Sequence, residues 1–281
     1  MNNAFQRQFV LKKQKGRKIA MLTAYDYAFA RLIDQAGVDM VLVGDSLANV
    51  VLGLASTKDV TMDQMIYHAK AVRRGVQSAL IIGDMPFEAY QKDPKSAVKN
   101  AKRFIKEAGC HGVKIEWFKD CLSVTRNIIK AGIPVMGHIG LTPQTAQALG
   151  GFKVQGKDAE SAKKIIDQAI VLEQTGCFSL VLECIPDRIA ALITKRIKIP
   201  TIGIGAGPYC DGQVLVVHDL LGLFDKFHPK FVKTYENLGV LILDAVKTYK
   251  REVLSGQFPS KEQSFSIKSE EFEKIKGQGL L

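Results

Sequence analysis

Short apolar runs rich in β-branched residues recur along the chain, at residues 18–23, 40–45, 80–84, 112–116, 134–138, 179–183, 201–205 and 214–218. Most lack the alternation of a half-exposed strand, which predicts strands buried on both faces of a parallel sheet. Between them the apolar spacing becomes helical. Over 93–108, Asp93 is placed to cap, Pro94 takes the first helical position, Val98, Ala101, Ile105 and Ala108 share a face, and Gly109 ends the element. Over 158–175 the stripe is Ala162, Ile165, Ile166, Ala169 and Leu172, closed by Gly176, and the helix over 27–36 ends at Gly37. This repeated order predicts βα units, and eight of them predict an α/β fold of the (β/α)8 TIM-barrel type. A doubly wound sheet is the competitor, but it gathers its ligand at one switch point. Here polar residues stand at the ends of many strands.

No Pro/Ser-rich linker divides the 281 residues, so a single domain is expected over 1–281. A basic arm over 1–17, with Arg7, Lys12, Lys13, Lys15 and Arg17 and no acid, reads as solvated. An extension over about 241–281 reads as an extra helix at 241–253 followed by a polar tail from 256.

Composition narrows the function. With 47% hydrophobic and 24% charged residues, the chain is globular rather than disordered or collagen-like. No run approaches the roughly 18 apolar residues of a membrane span, and the first residues lack the apolar core of a secretory signal. The five cysteines are odd in number and form no C-x-x-C pair, which predicts a reduced, cytoplasmic setting. The net charge of +11 comes from scattered lysines without a nucleic-acid motif and reads as Lys-rich helix faces, so neither nucleic acid nor membrane is expected as a partner.

The candidate chemistry lies where buried strands end in charged residues. The second run ends at Asp45 and Ser46, the third at Asp84, the fifth at His138 and the sixth at Glu183, while the fourth carries Lys114 and Glu116. In a barrel these ends open on one face, where barrel enzymes place their active sites. Each residue alone has a plainer explanation. Asp45 could cap a helix, Asp84 could make a turn before Pro86, and Lys114 with Glu116 could be a surface pair. His138 could be structural, and Glu183 could pair with Arg188. Caps do not explain acids on four strands together. Asp45, Asp84 and Glu116 suit a hard divalent cation such as Mg²⁺, which takes oxygen ligands and keeps waters. Zinc is disfavoured, because no His/Cys cluster has ligand spacing. Lys114 shares a strand face with Glu116 and suits a substrate carboxylate. Glu183, two strands beyond the acids, is a candidate base. G-I-G-A-G-P at 203–208 fails the dinucleotide pattern at Pro208 and reads as a tight turn.

Several segments resemble the 3-methyl-2-oxobutanoate (ketopantoate) hydroxymethyltransferase family. They are M-L-T-A-Y-D at 21–26, L-V-G-D-S-L at 42–47, D-M-P-F at 84–87, P-V-M-G-H-I-G-L-T-P-Q at 134–144, G-G-F-K-V-Q-G-K at 150–157, L-V-L-E-C-I-P at 180–186, T-I-G-I-G-A-G at 201–207 and D-G-Q-V-L-V at 211–216. The resemblance implies a (β/α)8 barrel of pantothenate biosynthesis. The implied reaction moves a hydroxymethyl group from the co-substrate 5,10-methylenetetrahydrofolate to the 2-oxoacid 3-methyl-2-oxobutanoate. It further implies Asp45, Asp84 and Glu116 as Mg²⁺ positions, Asp45, Ser46, Asp84 and Lys114 as oxoacid-binding positions, Glu183 as proton acceptor and His138 as a lining residue. A cytoplasmic homo-oligomer, a decamer in the family, is also implied. Two departures stand out: Trp117-Phe118 where the family usually has Gly-Gly, and Ala48-Asn49 within a usual Leu-Gly-Met-Val. A related Mg²⁺-dependent 2-oxoacid lyase or phosphoenolpyruvate mutase is the alternative enzyme.

Overall fold

The computed structural model describes residues 4–144, 153–226 and 228–277. Eight parallel strands close into a barrel in sequence order. They are β1 (Ile19–Thr23), β2 (Met40–Val43), β3 (Leu80–Asp84), β4 (Gly112–Glu116), β5 (Val135–Gly140), β6 (Ser179–Glu183), β7 (Thr201–Ile204) and β8 (Gly212–Leu215), with β8 pairing back onto β1. The expected (β/α)8 barrel is therefore the fold, and the doubly wound alternative is excluded by closure.

Helices α2 (Tyr27–Gln35), α4 (Met62–Gly75), α5 (Pro94–Lys106), α6 (Cys121–Lys130), α7 (Ala159–Thr175) and α8 (Asp187–Arg196) follow the first six strands. The one-turn helix α3 (Leu47–Val50) lies between β2 and α4. The local signals act as their chemistry requires. Asp93 accepts from the backbone N–H groups of Lys95 and Ser96 ahead of α5, and Gly176 closes α7 in a left-handed conformation. Outward strand residues such as Val41, Ile81, Val113, Val135 and Leu180 join the helices' apolar faces in the larger core.

The barrel interior has a dry end and a polar end. Ile19, Met21, Met40, Leu42, Ile82, Met136, Val181, Ile202 and Val214 fill the end near the strand starts. Side chains two residues apart share a face of a strand. The next inward positions after Ile82, Met136 and Val181 are therefore Asp84, His138 and Glu183.

Three expectations are corrected. The N-terminal arm is only partly solvated, with Arg7, Lys15 and Arg17 exposed and Lys12 and Lys13 docked. It forms α1 (Ala4–Gln14), whose Phe9 is 3% exposed and packs among the interior residues of the dry end. Lys13 Nζ donates to Thr194 O at 2.7 Å and pairs with Asp211 at 2.9 Å, while Lys12 pairs with Asp39. The basic residues thus anchor a plug. The last strand begins at Gly212 rather than 214, because its register is set by β1, and it ends early because the Val217 N–H bonds the Thr23 hydroxyl at 3.0 Å. The following α9 (Val217–Leu220) is one turn. The polar tail contains a further helix, α11 (Ser269–Lys276).

The extension helix, α10 (Leu238–Leu254), has no buried residue. Val240, Leu241, Ile242, Leu243, Val246 and Tyr249 are all exposed. Ala20 on β1 and Gln213 on β8 are exposed on the outer side of the barrel, where no full-length helix packs.

Phe9→Ala removes an anchoring ring of the plug. A loss of about 3–5 kcal/mol is expected, from both lost burial and the cavity left behind, and a urea unfolding curve measures it.

Candidate active site

The strand-end residues converge as the pleat dictates. Asp84 is the register partner of Lys114, Glu116 of His138, and Glu183 of Gly140. Asp45, Asp84, Lys114, Glu116 and His138 are all buried, at 5% exposure or less. Lys114 Nζ donates to Asp84 Oδ1 at 2.6 Å and stands 3.9 Å from Glu116 Oε1. The other Asp84 oxygen accepts from the Asp45 backbone N–H at 3.2 Å. Asp45 is therefore no helix cap, and Lys114 with Glu116 is no surface pair. Ser46 lies at the rim, its hydroxyl 2.8 Å from the Tyr25 hydroxyl.

His138 lies between two carboxylates. Its Nδ1 is 3.4 Å from Glu116 Oε1 and its Nε2 is 3.1 Å from Glu183 Oε2. Neither contact is aligned as a hydrogen bond, so the attraction is electrostatic. Glu183 keeps 14% of its side chain exposed, and its ionic partner is His138 rather than Arg188.

Charge in this dry space sets the ionisation. Burial and then the neighbouring Asp84 carboxylate hold Asp45 well above the ordinary aspartate value. Burial pulls Lys114 down, but Asp84, Glu116 and Asp45 together carry it above its ordinary value, so it stays an ammonium. Burial and Lys114 push His138 down, and the Glu116 and Glu183 carboxylates outweigh them, raising it to about 9. Asp45, Asp84, Glu116 and Glu183 face only Lys114 and His138, so negative charge is in excess. Glu116 Oε1 is buried with no hydrogen-bond partner. An oxygen-only, over-negative set with an orphaned carboxylate oxygen fits a hard divalent cation. Among the described residues no three acidic, His or Cys groups form a ready cage.

Two buried residues of the site carried no strand-end signal. Gln144 lies in the connection after β5, and its Nε2 donates to Asp45 Oδ2 at 2.8 Å. Tyr90 lies in the connection after β3, and its hydroxyl donates to Gln144 Oε1. Phe118, one of the two departures after Glu116, meets Tyr90 edge-on at 5.4 Å between ring centroids. Ala48 and Asn49 form part of α3, where the Asn49 amide donates to Leu54 O at 2.9 Å. The expected tight βα turn at 203–208 is corrected: β7 ends at Ile204, and residues 205–211 run on to β8 with no helix between the two strands. Of the motif at 150–157, residues 150–152 lie outside the described residues.

A family profile described as ketopantoate hydroxymethyltransferase matches residues 4–261. The chain belongs to this family. It is 54% identical over 264 residues to the 3-methyl-2-oxobutanoate hydroxymethyltransferase of Syntrophomonas wolfei, covering 94% of this chain and 96% of the relative. It is 52% identical over 268 residues to that of Acetivibrio thermocellus, covering 95% of each. Among solved structures, phosphonopyruvate hydrolase in complex with oxalate and Mg²⁺ superposes with a TM-score of 0.60 at 13% identity, covering 98% of this chain and 95% of that one. A 2,3-dimethylmalate lyase of the PEP mutase/isocitrate lyase superfamily gives 0.58 at 13% identity, covering 98% of each chain. At such identities these two show the shared barrel.

Two backbone features hold Glu183 in place. Cys184, just after it, has a φ of 48°, which is strained for a residue with a side chain. Gly140, beside it, has a φ of 94°, and a Cβ there would lie 2.3 Å from Glu183 O. Gly140→Ala must therefore push β5 from β6. A loss of at least about 2 kcal/mol is expected in urea unfolding.

Proposed function

We propose that this chain transfers a hydroxymethyl group from 5,10-methylenetetrahydrofolate to 3-methyl-2-oxobutanoate, giving 2-dehydropantoate and tetrahydrofolate, with water supplying the new hydroxyl oxygen. One arrangement supports the reading. A buried set of acids with one lysine on β2–β4 faces Glu183 across the His138 ring, so an anion can be held on one side and deprotonated on the other. In this reading Lys114 and the Ser46 hydroxyl bind the oxoacid carboxylate, with Asp45 and Asp84 lining the same position. Glu183 takes the proton from C3, and the carbanion left there forms the new C–C bond to the methylene carbon, whose two bonds to the folate nitrogens break; the nitrogens take up protons as tetrahydrofolate leaves, and water adds the hydroxyl. His138, 3.1 Å from Glu183 Oε2, orients the base. Asp45, Asp84 and Glu116 are the residues that would hold Mg²⁺. When bound, the ion supplies a Lewis acid that draws electron density from the keto group and so acidifies C3.

Deuterium exchange at C3 of 3-methyl-2-oxobutanoate, followed by NMR in D₂O without folate, tests the proton-transfer half. Exchange is expected with Mg²⁺ and not with EDTA. Glu183→Gln should lower it by at least about 100-fold, the scale of general-base catalysis, while leaving oxoacid binding intact. Wild-type exchange in that variant would remove Glu183 as the base. The alternative of a 2-oxoacid lyase or mutase predicts turnover without the folate, and the sequence relatives favour the transferase.

No described helix is long and apolar enough to cross a membrane. The five cysteines are free, in keeping with work in the cytoplasm. The bare apolar surface of α10 supports a homo-oligomer, since water is a poor cover for so many adjacent Leu, Ile and Val side chains. Sedimentation should give a mass above the 30.9 kDa of one chain. Leu241→Asp with Val246→Asp should dissociate the assembly. A wild-type monomer would end this part of the reading.

A further inference from the structure

We propose that Gln144 is a positioning residue that fixes the direction of two of the three carboxylates assigned to the cation, with Tyr90 as its brace; this rests on the Mg²⁺ reading above. Gln144 is fully buried, and its side-chain amide and backbone N–H are all engaged. Its Nε2 donates to Asp45 Oδ2 at 2.8 Å and to the Met85 carbonyl at 3.0 Å. Its backbone N–H donates to Glu116 Oε2 at 3.1 Å. Its Oε1 accepts from the Tyr90 hydroxyl. The amide orientation follows from chemistry, because a carbonyl such as that of Met85 only accepts. Tyr90 stays a donor, since burial and the nearby Glu116 and Asp84 carboxylates hold its ionisation well above the ordinary tyrosine value.

One amide residue thereby ties down one oxygen of Asp45 with its side chain and one oxygen of Glu116 with its backbone. For Glu116 the consequence is explicit, because Oε2 is bound and Oε1 is left buried without a hydrogen bond. Two carboxylates from strands β2 and β4 are thus set by a single residue of the connection after β5. Partners of this kind commonly govern metal affinity as much as the ligands do.

The test uses Mn²⁺ as the probe, with free ion counted by electron paramagnetic resonance on the full chain without oxoacid or folate. Gln144→Met keeps the length and the backbone N–H but loses the side-chain donor, and Mn²⁺ affinity should fall about 10–100-fold. Tyr90→Phe removes the brace together with a long contact from the Glu116 backbone N–H at 3.4 Å, and should weaken binding several-fold. A purely structural role would lower the thermal midpoint and leave Mn²⁺ affinity of the folded variants at the wild-type value, which overturns the proposal. If Gln144→Met does not fold, Tyr90→Phe decides alone, with unchanged affinity as the refuting result. Wild-type protein that binds no Mn²⁺ would instead remove the cation assignment itself, and this proposal with it.

Discussion

A lysine ammonium sealed inside the barrel is the constraint to which the site is built. An isolated charge there would be too costly to keep, and Lys114 is kept because Asp84 touches it and Glu116 stands close. That requirement fixes more than the lysine. The Asp84–Lys114 register sets β3 against β4, and Glu116, two residues on, is brought against His138. His138 then reaches Glu183 on β6. A chain of charges thus runs across four adjacent strands, each member held by the need to compensate the one before. The acids still exceed the cations, so the site as folded attracts further positive charge.

The pleat makes this arrangement possible. A strand places every second residue inward, so a barrel can change from oil to charge within one step of two residues. Ile82 to Asp84, Met136 to His138 and Val181 to Glu183 each make that step at about the same height. Below it the interior is packed with Met, Ile, Leu and Val and plugged by Phe9. Above it the groups are polar but still shielded from water, which strengthens each interaction among them.

Much of this was legible in the chain. Unalternating apolar runs report strands buried on both sides, and seven of the eight runs lie within two residues of the observed strands. The residues that end them report the site, because closure brings all strand ends to one rim. What escaped has a common cause. Gln144 and Tyr90 reach the site from connections, where no period constrains direction. Lys12 and Lys13 read as solvated because their partners, Asp39 and Asp211, are remote in sequence. The apolar anchor Phe9 is hidden among basic residues. The apolar character of α10 is plain in the sequence, but which surface covers it is a property of more than one element.

Closure of the ring joins the first strand to the last. β1 is bordered by β2, whose Met40 pairs with Met21, and by β8, which ends at Leu215. On the ribosome, β1 therefore emerges well before β8 and must wait with an open edge until that strand follows. Helix α1 waits equally long, since Lys13 docks on Thr194, Ile199 and Asp211. Such remote pairings are slow to form, and unpaired edges invite wrong partners meanwhile. The barrel's closing seam, far from the chemistry, is thus where production of this protein is most exposed to misassembly.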